Sequence, residues 1–568
     1  MKGAPAAFTS GGPLGKRNLC KGCGDIMELT NKTIGRYLRE QAELIGEHPA
    51  IEMEGWSCTF RQLDEVSDLL AGRMDKLEIT RGTHVGIWCA NSPDWVITFL
   101  ALTKIGAVPV LINTCYKEYE IKGILNYADV EVLYYGTGYK DVLYEDVIEQ
   151  IRHEAPKVRY FIPMCERKKG TWTEAEDFSE EECSSETLRH VCRLKAQVVS
   201  KDPACMIFTS GTMSLPKGVL LSHYNVVNNS RALVEAMKWG PEDKMCVTVP
   251  LFHCFGITAG IISCLLAGMS MYLIPYFKTA RVWDAIENHR CSVLNGVPSM
   301  FLALTRKDGF KDRKADCLKS GIIAGSPVTR EEYLEICGRF PGMHLQPSYG
   351  QTETSPCVSI ADWDEQNERK AVSAGKAIDH VEIRIADLKT GNVLKAGREG
   401  EIQVRGYNVM SGYYNLPKAN SRAFTEDGWL RTGDIGAVDE SGELHVTGRL
   451  KEMIIRAGEN ISPYEIEQVI RQLDWVEKVK VVGIPAEVLQ EEIAACIVPK
   501  KGRKADREEL RSYLNSKLAH YKAPAYVLEM EEFPMNASGK IDLKELKKAA
   551  LAGAARERQR QAAHRIKE

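Results

Sequence analysis

The sequence predicts an α/β protein. A large N-terminal domain of parallel sheets covered by helices is joined by an antiparallel, β-barrel-like part, and a small α+β domain follows. Three observations carry this. Short apolar runs alternate with helical patterns from His84 to Ile323, the alternation changes to period two after about Pro356, and a helix, two strands and another helix follow Gly448. The 568 residues also exceed what one hydrophobic core usually supports.

Residues 1–27 carry Gly, Pro and Ser, lack a continuous apolar stretch of the secretory kind, and read as a lead-in without fixed structure. Met27 is an alternative start, which would remove the pair Cys20 and Cys23. That pair has the spacing of half a zinc site, but no second pair or nearby His residues complete it. The 17 cysteines are odd in number and irregularly spaced, as for reduced thiols of a cytoplasmic protein. A net charge of −3 gives no sign of a nucleic-acid partner.

The α/β part begins with a strand from His84 to Cys89, a helix from Pro93 to Ile105 and a strand from Val108 to Ile112. Val130–Tyr135 and Arg159–Met164 continue it, and the charged stretch from Glu166 to Glu186 reads as a surface connection. Further strands are expected at Cys205–Phe208, Met245–Val249, Ser270–Ile274, Ser292–Leu294 and Gly321–Ile323. From Met245 to Phe277 there is no Asp, Glu, Lys or Arg, and the length would permit a membrane crossing. Pro250 and Pro275 bracket this piece, and His253, Gly256, Gly260 and Gly268 interrupt it, so a buried β-α-β unit explains it better.

The antiparallel part rests on Val381–Ile385 and Glu401–Arg405, with turns at Thr390–Asn392 and Asp439–Glu443. A boundary falls near Arg449–Lys451, giving domains 28–450 and 451–548. The second holds a helix from Pro463 to Leu473, strands Val479–Gly483 and Ala494–Pro499, and a helix from Arg507 to Leu518. Residues 549–568 are an alanine-rich, charged tail, helical or frayed, most simply a solvated face.

The chemistry concentrates in a few motifs. Thr209, Ser210, Gly211, Thr212, Met213, Ser214, Leu215, Pro216, Lys217 and Gly218 follow an apolar strand with hydroxyls, two glycines and a lysine. Such a loop suits phosphate oxygens, although its spacing is not that of a Walker A loop. Ser348, Tyr349, Gly350, Gln351, Thr352 and Glu353 offer a ring to stack on a base, a hydroxyl for phosphate and a carboxylate for Mg²⁺. Asp434, at a turn, is an acceptor that could take both ribose hydroxyls. Lys540 stands alone on a Gly/Ser loop. Taken singly, Tyr349 could be core, Asp434 a turn residue and Lys540 a solvated charge.

Taken together, in this order, the motifs resemble the adenylate-forming superfamily over roughly residues 28–548. The likeness is strongest to fatty acyl-CoA synthetases of medium-chain type, through Pro250–Gly256 and Leu221–Asn225. The resemblance implies two half-reactions. A carboxylate attacks the α-phosphorus of MgATP and pyrophosphate leaves; the thiol of coenzyme A then attacks the acyl-adenylate and AMP leaves. It implies that residues 209–218 hold the phosphates and that Thr212 and Glu353 hold Mg²⁺. Tyr349 and Gly350, with Gly325 and Ser326, lie along the adenine, Thr352 meets the α-phosphate, and Asp434 and Arg449 hold the ribose. Lys540 bridges carboxylate and α-phosphate, and His253 is a gate between acyl pocket and nucleotide. Lys451 is the hinge of a mobile C-terminal domain, whose rotation exchanges Lys540 for the Gly458 loop.

The family usually has Thr-Gly where this chain has Met213-Ser214: Met213 cannot donate to a phosphate oxygen, which implies either a looser hold on pyrophosphate or a donor restored by Ser214. Three functions follow as expectations: an acid:CoA ligase, an enzyme loading an acyl carrier protein, or a nucleotide-binding regulator without catalysis. Phe255, Ile257, Val297, Met300 and Phe301 mark an acid pocket suited to an aliphatic or aryl tail.

Overall fold

The computed structural model describes residues 27–565 apart from 140–141, 165–169, 172–177, 180–181, 183, 210–215, 307–312, 457–458, 487–489, 518–521 and 537–539. Cys20, Cys23, Ser210, Gly211, Thr212, Met213, Ser214 and Gly458 therefore lie outside the described residues.

Two helix-covered sheets form the N-terminal part. In the first, His84–Trp88, Val108–Leu111, Val132–Tyr135, Tyr160–Pro163 and Pro203–Thr209 run parallel, and Lys217–Ser222 and Gly412–Tyr413 close one edge antiparallel. In the second, Pro49–Met53, Lys244–Val247, Ser270–Leu273, Val293–Leu294, Ser320–Ile323 and His344–Gly350 are parallel. The central strands are buried on both faces, which is why they read as continuous apolar runs without alternation, whereas the edge strand Tyr160–Pro163 is partly exposed. The uncharged stretch Met245–Phe277 is the β-α-β unit expected: Lys244–Val247 pairs in parallel with Ser270–Leu273 across a buried helical segment. Among the described residues no helix is long and apolar enough to cross a membrane.

Local sequence explains the helix ends. Ser92 caps the helix Pro93–Ile105, Pro93 stands where its missing N–H costs nothing, and Gly106 ends it in the left-handed region at φ 74°. This helix is buried nearly all round, even at Lys104. The Lys104 Nζ donates to Asp64 Oδ1 and Asp68 Oδ1, each at 2.7 Å, and Lys195 meets Asp68 from the other side at 2.5 Å. Burial works against both charge types, but their mutual attraction wins, so Lys104 is raised and Asp68 lowered.

A strap at Met27–Thr30 crosses the back of this part. The Met27 N–H donates to Asp379 Oδ2 at 2.9 Å and its carbonyl meets His380 Nε2 at 2.6 Å. Thr30 exchanges two hydrogen bonds with the Asn228 amide, at 2.8 and 3.0 Å.

The antiparallel part corrects one expectation. Val381–Ala386, Gly400–Gly406, Leu430–Val438 and Leu444–Arg449 form an open four-stranded sheet, not a closed barrel. Four strands cannot curl around a core of their own; one face packs instead on the main core through Ile402, Val404 and Leu430.

The smaller C-terminal part is a five-stranded sheet flanked by helices Pro463–Ile470, Arg507–Lys517 and Leu543–Arg565. Its strands Val476–Ala486 and Gln490–Pro499 run longer than expected. The tail is not wholly solvated. Leu546, Ala550 and Ala554 are fully buried, one helical turn apart, against Val482, Ile484 and Cys496. An alanine-rich stripe allows this close approach, and composition alone reads it as surface.

Candidate active site

The motif residues converge on one cleft of about 1040 Å³. It lies outside the carboxyl ends of the parallel strands, where open α/β sheets bind their ligands. Thr209 and Lys217 reach it from the first sheet, Gly325 and Tyr349 to Glu353 from the second, and Asp434 and Arg449 from the antiparallel sheet. Lys451, Asn536 and Lys540 complete it from the C-terminal side.

Thr209 and Lys217 are register partners on adjacent antiparallel strands. Ser210, Gly211 and Thr212, expected to hold phosphate, fall between these strands in the sequence and lie outside the described residues. The Lys217 Nζ stands 4.5 Å over the ring of Tyr413. The Tyr413 hydroxyl in turn donates to Glu353 Oε1 at 2.9 Å. Tyr413 is a site residue that sequence reading missed; it lies 60 positions from Glu353 and only the sheet edge brings it near.

Gly350 is fixed by packing. A Cβ there would come within 1.7 Å of the Pro356 carbonyl oxygen, so no other residue fits. The chain then turns through Thr352–Thr354, and Thr352 Oγ1 accepts a weak bond from Cys254 Sγ at 3.6 Å. Burial pushes the Cys254 thiol up to about 11, so it stays protonated.

At the other end, the Tyr349 hydroxyl donates to Asp434 Oδ2 at 2.8 Å, and Arg449 Nε meets Asp434 Oδ1 at 2.9 Å. Burial raises the Asp434 carboxyl, and Arg449 and Tyr349 oppose that rise. Lys540 Nζ donates to the Gly325 carbonyl at 3.0 Å, joining the C-terminal part to the cleft. Burial first, and then the Arg449 charge, lowers Lys540. His253 lines the cleft nearby. Burial, reinforced by the positive Lys540, pushes it down to about 4, so its ring is neutral at physiological pH. Lys451 also lines the cleft and is lowered by burial and by Arg449.

Not every expected residue gathers here. Ser326 is exposed and does not line the cleft. Of the expected acid-pocket side chains, Phe255, Val297 and Met300 line it; Ile257 and Phe301 are packed into the core instead. Among the described residues no three His, Cys, Asp or Glu side chains gather as a metal cage. A single carboxylate such as Glu353 fits the way Mg²⁺ binds where substrate phosphates supply its other ligands.

The family model for the AMP-binding enzyme matches residues 38–414, and that for the AMP-binding enzyme C-terminal domain matches residues 465–540. The chain belongs to the AMP-binding, adenylate-forming enzyme family. YngI of Bacillus subtilis (strain 168), an acyl-CoA synthetase by name, is 35% identical over 93% of this chain and 98% of its own. The human mitochondrial medium-chain acyl-CoA ligase ACSF2 is 34% identical over 93% of this chain and 89% of its own. Among solved structures, the o-succinylbenzoate CoA synthetase of Bacillus subtilis, in complex with its acyl-adenylate, superposes with a TM-score of 0.75 at 26% identity, covering 91% of this chain and 99% of that one. The enzyme class is therefore the AMP-forming acyl-CoA synthetases, with ATP and coenzyme A as substrates.

Proposed function

We propose that this chain activates a medium- to long-chain fatty acid with ATP and transfers the acyl group to coenzyme A. The observation that carries this is that one cleft is lined by two kinds of residue, with Lys540 and His253 also in its wall. Tyr349, Asp434, Arg449, Lys217 and Glu353 suit a nucleotide. Phe252, Phe255, Val297 and Met300 suit a hydrocarbon.

In the first half-reaction an oxygen of the substrate carboxylate bonds to the α-phosphorus while the bond to pyrophosphate breaks. Lys540 holds the carboxylate and an α-phosphate oxygen together, where negative charge would otherwise repel. Tyr349 lies along the adenine, and the Asp434–Arg449 pair takes the ribose side. Thr209 and Lys217 hold phosphate oxygens, with Ser210, Gly211 and Thr212 from the loop between them. Gly325 and Gly350 let backbone approach the nucleotide, and Thr352 meets the α-phosphate. Glu353, oriented by Tyr413, would hold Mg²⁺ with Thr212; the ion supplies charge neutralisation of the triphosphate. In the second half-reaction the coenzyme A sulfur bonds to the acyl carbon, its proton goes to solvent and the bond to AMP breaks. Rotation about Lys451 removes Lys540 and presents the Gly458 loop for this step.

The neutral His253 separates the hydrocarbon from the phosphates without adding a charge to either. AMP release from ATP, measured across short, medium and long fatty acids and aryl acids with and without coenzyme A, tests the reading. Turnover that needs both a fatty acid and coenzyme A supports it. Adenylate without thioester would replace coenzyme A by a carrier protein as acceptor. ATP binding without turnover on any acid would leave a regulator.

A further inference from the structure

Two loops meet in the wall of the cleft through one pair of side chains. Residues 250–256 follow the strand Lys244–Val247 and carry His253; residues 351–355 follow His344–Gly350 and carry Thr352 and Glu353. Cys254 and Thr352, 98 positions apart, join them, Cys254 Sγ donating to Thr352 Oγ1 at 3.6 Å. Both side chains are buried and both line the cleft.

Both loops are braced. Asn91 holds the first, its Nδ2 donating to the Val249 carbonyl at 3.1 Å and its Oδ1 accepting from the Leu251 N–H at 2.9 Å. A Cβ on Gly256 would come within 2.3 Å of the Pro250 carbonyl oxygen, so this turn is closed tightly on itself. In the second loop, Thr354 Oγ1 accepts from the Gln351 N–H at 3.1 Å and donates towards the Gln351 and Pro356 carbonyls, at 3.0 and 2.9 Å. Ser355 Oγ donates to the Asn408 carbonyl at 2.7 Å. The two side chains therefore meet at a distance that neither backbone is free to change.

A hydroxyl has one hydrogen and two lone pairs. The Cys254 thiol, kept protonated by its burial, takes up a lone pair on Thr352 Oγ1. Among the described residues that oxygen has no other hydrogen-bond partner. The Thr352 hydrogen is thus uncommitted and turned away from the thiol hydrogen. A side chain at 254 that accepted instead would draw the Thr352 hydrogen to itself.

We propose that Cys254 is a positioning residue for adenylate formation: its S–H occupies a lone pair of Thr352 and so directs the Thr352 O–H to an α-phosphate oxygen. The proposal rests on the ligase reading, in which Thr352 meets the α-phosphate, and adds a residue that acts through Thr352. An S–H is a weak donor, so it orients the hydroxyl without tying it down.

The test is a double-mutant cycle read on the two half-reactions, with Cys254→Ala, Cys254→Ser, Thr352→Ala and the double variant C254A/T352A. Cys254→Ala should slow adenylate formation about twofold to tenfold, the net worth of one hydrogen bond, with the KM for ATP little changed. Thioester formation from synthetic acyl-adenylate and coenzyme A should keep its rate. Cys254→Ser, which keeps a donor, should recover part of the loss. With T352A already in place, C254A should cost nothing more, because the group it orients is gone. Losses that multiply in the double variant, or a serine variant no better than the alanine one, in proteins that still bind ATP, overturn the positioning role and leave the ligase standing. Unchanged adenylate formation in Thr352→Ala overturns it too. No thioester from any acid in the wild type overturns the ligase reading itself.

Discussion

Asp434 and Arg449 are register partners on adjacent antiparallel strands, and their side chains meet at 2.9 Å. Sheet pairing thus sets the direction of the carboxylate, and the Tyr349 hydroxyl fixes its second oxygen at 2.8 Å. A carboxylate held on both oxygens loses little freedom when a ligand arrives. Asp434→Ala should therefore weaken ATP binding about tenfold to a hundredfold, the cost of hydrogen bonds to a charged group. Titration calorimetry with ATP reads this directly. A change below twofold would remove Asp434 from the nucleotide site.

Lys540→Ala should slow adenylate formation about a hundredfold to a thousandfold, as expected for loss of one preorganised charge. Thioester formation from synthetic acyl-adenylate and coenzyme A should persist. Rapid-quench measurement of the two half-reactions separates these. An equal loss in both would mean that Lys540 supports the fold of the cleft, not one chemical step.

In its proposed role Lys540 must carry its proton, and burial together with Arg449 lowers its pKa below the ordinary 10.5. The protonated, active form is then lost as pH rises, earlier than for a free lysine. The pH profile of kcat/KM, which reports the free enzyme, should bend down on the alkaline side below that value. Arg449→Met removes the repulsion and should move the limb upward, even with lower overall activity. A limb that stays in place would assign it to another group.

His223 is fully buried, and burial pushes it down to about 4; its Nδ1 accepts from the Ile34 N–H at 3.2 Å. The unfolded chain takes a proton near pH 6.5, so the unfolded state gains as pH falls from 6.5 towards 4. Stability is then complete above about pH 7 and falls by about 2 kcal/mol at pH 5 from this group alone. Urea midpoints at pH 7 and pH 5 measure the loss, which His223→Asn should reduce. Equal pH sensitivity in the variant would place the titrating group elsewhere.

Gln346 is fully buried, and neither its Nε2 nor its Oε1 has a hydrogen-bond partner among the described residues. An amide left so costs about 1–3 kcal/mol. Gln346→Met keeps the volume without the polar atoms and should raise the melting temperature by a few degrees. A lowered melting temperature would show that bound water or ligand satisfies the amide.

Much of this architecture was legible because it is local. Most parallel strands announced themselves as apolar runs, Pro49–Met53 excepted, and the helix Pro93–Ile105 was legible at both ends. Tyr349, Glu353, Asp434 and Lys540 stood in short motifs whose residue types already fit the chemistry, and they share one cleft. What escaped was decided by distant packing. Leu233 lines the cleft but looks like any leucine of an amphipathic helix, and Tyr413 gains its place only from a two-residue edge strand. Ile257 and Phe301 failed as pocket residues because a π-helical turn and a core contact point them elsewhere, and neither has a local signature. The buried tail alanines escaped because composition cannot tell a packed stripe of small residues from a solvated one.

The strap has a consequence for how the chain reaches its native state. Thr30 waits for Asn228, 198 residues later, and Met27 for His380, 353 residues later. During synthesis from the N-terminus, neither partner exists until much of the first sheet has been made. Closing loops of that size adds little further entropy per residue but cannot be hurried by local order. Residues 27–30 are thus made well before the partners that hold them, and their protection from proteolysis should appear only once the chain has been made as far as His380.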